Sequence, residues 1–431
     1  MEFVVLGIFT INLLACIVFG YSILYALLFG YCLFFIYGLL KKISAAEIIK
    51  LSWNGIKTVK NIIFTLTLIG MITALWRDCG TIPFIIFHSS KLIIPSIFVL
   101  ITFLLCCLIS FLVGTAFGSA ATLGVICMTI ARAMGIDYVL VGGAVLSGTY
   151  FGDRCSFMSS SAILVSELTK TDIFINIKNM MKTSVVPFIL TCILYFLLGL
   201  TQHSADFSGE IWNIFRDNFN LHIIVILPAL LIVVLCALRI KVKTAIISSI
   251  AAGSVISFFI QHTPVIEIVK LMLLGFTSED TQLAAMMNGG GVSSMVRVMA
   301  IVCISSSYAG IFEKTGLLNG IKSRVVWLSN KKNVYAGIFA SSVLTSVIAC
   351  SQALAIILTH YLCKDLSKNK EQFAVDLENT VVLIAPLVPW SVASAAALGA
   401  AGAPTRSILF AFYLMVLPLW NFVWQSFRKT N

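Results

Sequence analysis

Apolar positions in this chain come in runs of about twenty, from one end to the other, separated by short polar intervals. The run "VVLGIFTINLLACIVFGYSILYALLFGYCLFFIYGLL", Val4–Leu40, is long enough for two membrane-crossing helices, and "LHIIVILPALLIVVLCAL", Leu221–Leu238, for one. A helix rises about 1.5 Å per residue, so about twenty apolar residues match a hydrocarbon core of ~30 Å. The pattern predicts an all-α polytopic membrane protein with about twelve to fourteen transmembrane segments. The first run lacks a basic leader and a small-residue cleavage site, and reads as retained spans.

Composition strengthens this reading. Of the 431 residues, 59% are hydrophobic and 11% charged, and the mean hydropathy is +1.03; a soluble protein has about a quarter of its residues charged. The net charge of +11 sits in short loops, as the positive-inside bias requires, and not in a nucleic-acid footprint. The clusters are Lys41/Lys42 with Lys50, Lys57 and Lys60; Lys170/Lys178/Lys182; Arg239/Lys241/Lys243; Lys322/Arg324/Lys331/Lys332; Lys364/Lys368/Lys370; and Arg428/Lys429. Placing all of them inside puts a multi-pass chain in the cell membrane with both termini cytoplasmic. The loop Thr201–Asn220, with Asp206, Glu210 and Asp217, then lies outside. Val265–Phe276 is too short to cross and must be partial or re-entrant for the parity to hold. The twelve cysteines form no CxxC and the five histidines have no ligand spacing, so no cofactor is expected. Without paired catalytic carboxylates or a nucleophile triad, an enzyme is not expected either.

The same parity runs Asn61–Trp76 outward and Met295–Phe312 inward, each followed by a polar, glycine-bearing stretch, "RDCGTIPFIIFHSSK" and "EKTGLLNGIKSR". Two similar halves of opposite orientation predict inverted repeats with broken helices, although any chain of many spans offers such alignments by chance. The expected organisation is an N-terminal hairpin and amphipathic segment (1–60), a first transport repeat (61–201), connecting spans (202–294) and a second repeat (295–431).

In lipid, irregular backbone survives only where it is buried in protein or lines a wet cavity. Four stretches qualify. In "CGTIP", Gly80 and Pro83 are expected to interrupt the chain. In "GTAFGSAATLG", Gly114 and Gly118 have a spacing that also suits helix packing. Its Thr115 and Ser119 hydroxyls either face a cavity or bond back to their own helix. In "SGTYFGDRCSFMSSSA", Gly148 and Gly152 are expected to free the backbone around Asp153. An acid at the bilayer centre costs about 2.5–3.5 kcal/mol, so it reads as functional. Burial and a nearby cation pull its proton affinity in opposite directions, and Ser156, Ser159, Ser160 and Ser161 offer the oxygen atoms a hard cation prefers. A structural Asp153–Arg154 pair is the plainer reading, weakened because adjacent residues do not face each other on a helix. In "CSQALAIIL" and "LENTVVLIAPLVPWSVASAAALGAAGAP", Pro386 and Pro389 break a span. Trp390 follows them, Gln352 lies in the first piece, and Glu378–Asn379 is either interfacial or cavity-lining.

Together these stretches, with "GIFEKTGLL", resemble the NhaC-type sodium/proton antiporter family in order and spacing, over most of the chain from about residue 60. The resemblance implies two inverted repeats meeting at the membrane midplane and exchange of Na+ and H+. It places a cation on Asp153, the only metal expected. The chain departs from the family's pattern at Phe157 (proline), Ser160 and Asn379 (acids), Ser351 (acid) and Phe117 (tryptophan). Losing acidic positions weakens charge compensation for Na+. The first expectation is therefore a secondary antiporter in which Asp153 trades H+ for Na+, helped by Ser156, Ser159, Thr115 and Ser119. The alternative is ion-coupled transport of a small organic solute, an amino acid or a carboxylate such as lactate or malate, with Arg154, Arg77 or helix N-termini receiving the carboxylate. Lipid and a second copy of the chain complete the expected partners.

Overall fold

A computed structural model of the protein describes residues 2–427, apart from 20, 90–93, 203–214, 239, 241, 281–282, 285–286, 316–332, 350 and 368. Among the described residues the regular structure is helical, with one isolated bridge between Phe276 and Gly289. An apolar hairpin, α1 (Glu2–Val18) and α2 (Ile23–Leu40), leads into the amphipathic α3 (Ala45–Thr58). Ser44 caps α3 by accepting from Glu47 N at 3.2 Å, and Glu47 sits in its first turn, where a helix favours negative charge. Then follow α4 (Lys60–Asp78), α5 (Thr81–Ser89), α6 (Pro95–Val113), α7 (Ala116–Ala133, with a π turn at Ala120–Gly124), α8 (Tyr138–Cys155), α9 (Ser160–Thr169) and α10 (Ile173–Leu200). The middle of the chain forms α11 (Leu227–Ala237), α12 (Val242–Phe259) and the ten-residue α13 (Val265–Leu274), which stops at Gly275. The last part forms α14 (Gly291–Thr315), α15 (Val334–Ala349), α16 (Gln352–Cys363), α17 (Lys370–Asn379, continued by short turns to Leu387), α18 (Val392–Ala401) and α19 (Phe412–Phe427).

Among the described residues, five helices are long and apolar enough to cross a membrane alone. Two bent pairs, α3 with α4 at 49° and α17 with α18 at 62°, pass the same test together. Five shorter apolar helices of 10–17 residues accompany them, so reaching the expected number of crossings requires counting segments that are themselves short or broken.

α10 shows which solvent surrounds the bundle. Its buried residues are Asn176, Met180, Ser184, Pro187, Thr191, Tyr195 and Gly199, one every three or four positions. Val185, Val186, Ile189, Ile193 and Leu197 lie exposed on the other side. Small and polar residues inside with branched apolar ones outside is the arrangement of a helix facing lipid, where tight packing and interhelical hydrogen bonds, not hydrophobicity, draw helices together.

The glycines divide into two kinds. Gly114 takes φ +71° between α6 and α7, and a Cβ there would stand 2.6 Å from that of Met158. This is a true break. Gly148 and Gly152 are not: α8 runs unbroken through both. A Cβ on Gly152 would lie 2.1 Å from the Ser110 carbonyl carbon, and one on Gly148 would lie 2.6 Å from Phe103 O. Their role is to let α8 and α6 touch backbone to backbone, which corrects the expectation that they loosen the chain. Gly118 likewise lies inside α7. Gly80 separates α4 from α5, whereas Pro83 sits in the first turn of α5, where proline fits a helix. Pro386 occupies a 3-10 turn, and Pro389 falls in the gap before α18.

The centre of the loop expected outside (203–214), the whole of "GLLNGIKSR" with Lys331 and Lys332, Arg239, Lys241, Lys368 and Arg428/Lys429 lie outside the described residues.

Candidate functional site

Between α8 and α9 the backbone is extended at Ser156 and Ser159, with ψ 136° and 134°. Ser159 then restarts the helix by accepting from Ser161 N at 3.1 Å and Ala162 N at 3.5 Å. Such a cap is what a helix beginning away from water needs, because its first N–H groups have no partners within the helix. The turn brings the start of α9 back against the last turn of α8. Ser159 Oγ donates to Asp153 Oδ1 at 3.2 Å, and Ser161 Oγ donates to Oδ2 at 3.1 Å and to the Asp153 carbonyl at 3.1 Å. Gln352, the first residue of α16, donates through Nε2 to Oδ2 at 3.4 Å and to Val382 O at 3.0 Å. The N–H of Ala116, the first residue of α7, lies within electrostatic reach of the carboxylate. Three helix N-termini thus converge on one acid that is 5% exposed. The partial positive charge of helix N-termini makes this a place built for an anion or for the exchange of its counter-cation.

Arg154 points elsewhere, about 100° further round α8. It is fully buried and held by neutral groups: Ser184 Oγ at 2.5 Å, Thr183 Oγ1 at 3.1 Å, Met180 O and Cys155 Sγ at 3.3 Å, Tyr413 OH at 3.4 Å, and Asn379 Oδ1. Beside it lies Glu378, 1% exposed, with both carboxylate oxygens lacking hydrogen-bond partners and in electrostatic reach of Arg154 and Asp153. With both acids ionised, Asp153, Glu378 and Arg154 leave one unbalanced negative charge, which a single proton or monovalent cation cancels.

Of the residues picked out in the sequence, the structure gathers Asp153, Ser159 and Gln352 around one carboxylate, and Arg154, Glu378 and Asn379 beside it. Thr115 caps α7, accepting from Gly118 N at 3.3 Å. It also lines a cavity of about 440 Å³ with Asn61, Thr65, Phe117, Gly118 and Lys243, next to the Ala116 N–H. Ser119 is buried and donates to Thr115 O at 3.0 Å. Ser156 is buried too, and accepts from Met158 N at 3.3 Å. Ser160 is exposed on the outer side of α9. Ser119, Ser156 and Ser160 make no hydrogen bond to Asp153; of the four serines that follow it, Ser159 and Ser161 do. Trp390 donates to Val347 O at 3.0 Å and packs in the apolar cluster that includes the N-terminal hairpin. Sequence reasoning passed over Asp376, 2% exposed, whose Oδ1 accepts from Gln372 and Gln425 at 2.8 Å each. Its position two residues before Glu378 was the available signal. Among the described residues no cluster of His, Cys, Asp and Glu is suited to hold a resident metal.

Residues 148–423 match the sequence profile of the Na+/H+ antiporter family. The chain is 28% identical to Na(+)/H(+) antiporter NhaC of Alkalihalophilus pseudofirmus, over 86% of this chain and 84% of that one. It is 26% identical to the malate-2H(+)/Na(+)-lactate antiporter of Bacillus subtilis, over 98% and 91% respectively. It is also 26% identical to the arginine/ornithine antiporter ArcD of Halobacterium salinarum, over 84% and 78%.

Proposed function

Because the chain belongs to the Na+/H+ antiporter family, we propose that Asp153 is the group that alternately carries H+ and Na+. The observation that carries this reading is a buried carboxylate bound only by neutral donors, with its neighbouring arginine engaged elsewhere. A carboxylate already locked to a guanidinium has no charge left to offer a cation; this one does. When Na+ binds, the Ser159 and Ser161 hydroxyls rotate, so that their lone pairs, and no longer their protons, face the site. When H+ binds instead, the acid donates to one of the same oxygens. Both loaded forms are electrically equivalent, and both satisfy the same side chains.

Alternating access follows from the broken helices. The order helix–break–helix, helix–break–helix, closing helix occurs as α6/α7, α8/α9, α10 and again as α15/α16, α17/α18, α19. The backbone at the helix starts corresponds as well. Thr115 (φ −148°, ψ 126°) parallels Ser351 (φ −133°, ψ 132°), and Ser159 (φ −71°, ψ 134°) parallels Ser391 (φ −68°, ψ 141°). This supports two transport repeats, 61–201 and 295–431, flanked by the segment 1–60 and joined by 202–294, working inverted in the cell membrane with both termini cytoplasmic. The cavity at Thr115, with Lys243 at its rim, is the cytoplasmic approach to the site. In everted vesicles, a Na+ pulse collapses the acid interior if the proposal holds; equal collapse with Asp153→Asn refutes it.

A second reading, coupled transport of a small organic solute, is favoured by the names of two relatives. In this reading Arg154 serves to hold helices together, since five neutral side chains and a backbone carbonyl take up its terminal nitrogens and only its Nε is left without a partner.

A further inference from the structure

The chain holds two further arginines that face each other across a second cavity. Arg77, in the last turn of α4, and Arg132, in the last turn of α7, line a space of about 250 Å³. Thr73, Thr129, Asn288 and Ser294 add polar groups to its lining, Val125 and Met295 apolar ones, and the stretches Gly289–Gly290 and Gly399–Gly402 close it. No Asp or Glu is among these lining residues, and Arg132 acts on the Arg77 guanidinium as a like charge. Two cations in one small space repel, and proteins tolerate that arrangement where an anion comes between them.

Arg77 forms the floor. It is 8% exposed, donates from one terminal nitrogen to Thr73 O at 2.6 Å, and leaves Nε buried without a partner. A buried guanidinium nitrogen that bonds nothing is costly, and its natural complement is a carboxylate, which takes two parallel N–H bonds from the guanidinium fork. Arg132 forms the rim. It is exposed, donates to Gly402 O, and lies over the Tyr138 ring with 5.8 Å to the centroid. The third contribution is the N-terminus of α14, a helix of 25 residues. Its lead-in glycines let the backbone close on Arg77: a Cβ on Gly290 would stand 2.7 Å from a terminal nitrogen of Arg77 and 2.6 Å from Ala74 N. The first N–H groups of a long helix and two guanidiniums are together a receptor for negative charge.

We propose that the Arg77–Arg132 cavity binds the carboxylate of a small organic acid. Its volume lies below the ~300–1,000 Å³ of pockets for drug-sized ligands, which suits an acid of a few carbons. The site is separate from Asp153. α7 begins at Ala116, within electrostatic reach of the Asp153 carboxylate, and carries Arg132 sixteen residues later, about 24 Å along its axis. The inference deepens the second reading above and stands whether or not Asp153 carries Na+.

The test is equilibrium binding of radiolabelled succinate to the purified full chain in nanodiscs, with acetate, phosphate and chloride as competitors. Saturable succinate binding, displaced by acetate but not by chloride, is expected. It should weaken at least tenfold in Arg132→Gln, a change at an exposed residue that the fold tolerates, and in Arg77→Gln, while Arg132→Lys retains part of it. Asp153→Asn should bind succinate normally while losing Na+-evoked proton movement, which separates the two proposals. Undiminished binding in both glutamine variants, or no saturable binding by the unaltered chain, overturns the assignment. Displacement by phosphate alone overturns its chemical class.

Discussion

The side-chain amide of Gln352 donates to the carboxylate of Asp153 at 3.4 Å across 199 positions of sequence, while Arg154, the very next residue, makes its hydrogen bonds to neutral groups. The acid is thus served by the start of a helix in the second half of the chain and left uncancelled by its own neighbour. That relationship is what allows a buried carboxylate to exchange partners.

Replacing Asp153 with Asn keeps the size and removes the charge. Na+-dependent proton movement in everted vesicles is expected to fall at least about tenfold, a loss of ~1.4 kcal/mol or more. Asp153→Glu should retain part of it, since a longer side chain still carries the charge but misplaces it against Ser159 and Ser161.

Ser161 and Ser160 are adjacent in sequence and opposite in exposure. Ser161→Ala removes one hydrogen bond to the carboxylate, worth on the order of 1 kcal/mol, and should raise the apparent Km for Na+ about fivefold. Ser160→Ala should leave it unchanged. Transport titrations with Na+ on the two variants decide the matter.

Protons and Na+ contending for one carboxylate set the sign of the pH dependence. As pH rises, fewer sites hold a proton, so the apparent Km for Na+ should fall, by up to about tenfold per pH unit where competition is complete. Km measured over a pH series checks this; a Km flat with pH means the two ions use different groups.

The contact of α8 with α6 leaves no room at Gly152. Gly152→Ala should destabilise the protein by about 1–3 kcal/mol, seen as a lower unfolding temperature in detergent. Gly7→Ala, where a Cβ would meet nothing within 4 Å, is the matched control and should melt like the unaltered chain.

Much of this site was legible in the sequence, and what was missed has identifiable causes. Asp153 stood out because a charge in an apolar run needs a reason, and Ser159 because its hydroxyl belongs to the serine run that follows that acid. The run Ser159–Ser161 could not be phased from sequence: once Ser159 is the cap, Ser161 turns inward and Ser160 outward, and one position of slip exchanges them. Gly148 and Gly152 carry the same letters whether a helix bends or is pressed against another, and only the position of α6 tells which. The destinations of Arg154 depend on α10, α17 and α19, far away along the chain, and the meeting of Arg77 with Arg132 depends on where α4 lies against α7. Local pattern is silent about such pairings.

The grip of Arg154 bears on how the carrier moves. One guanidinium is fastened to α8, α10, α17 and α19, elements drawn from both ends of the sequence. A rivet through four members stops them from sliding over each other, so whatever turns Asp153 from one face of the bilayer to the other must carry them as a single block. The slip plane then falls outside that block, and crosslinks placed within it should leave turnover intact, whereas crosslinks from it to α4 or α14 should stall the cycle.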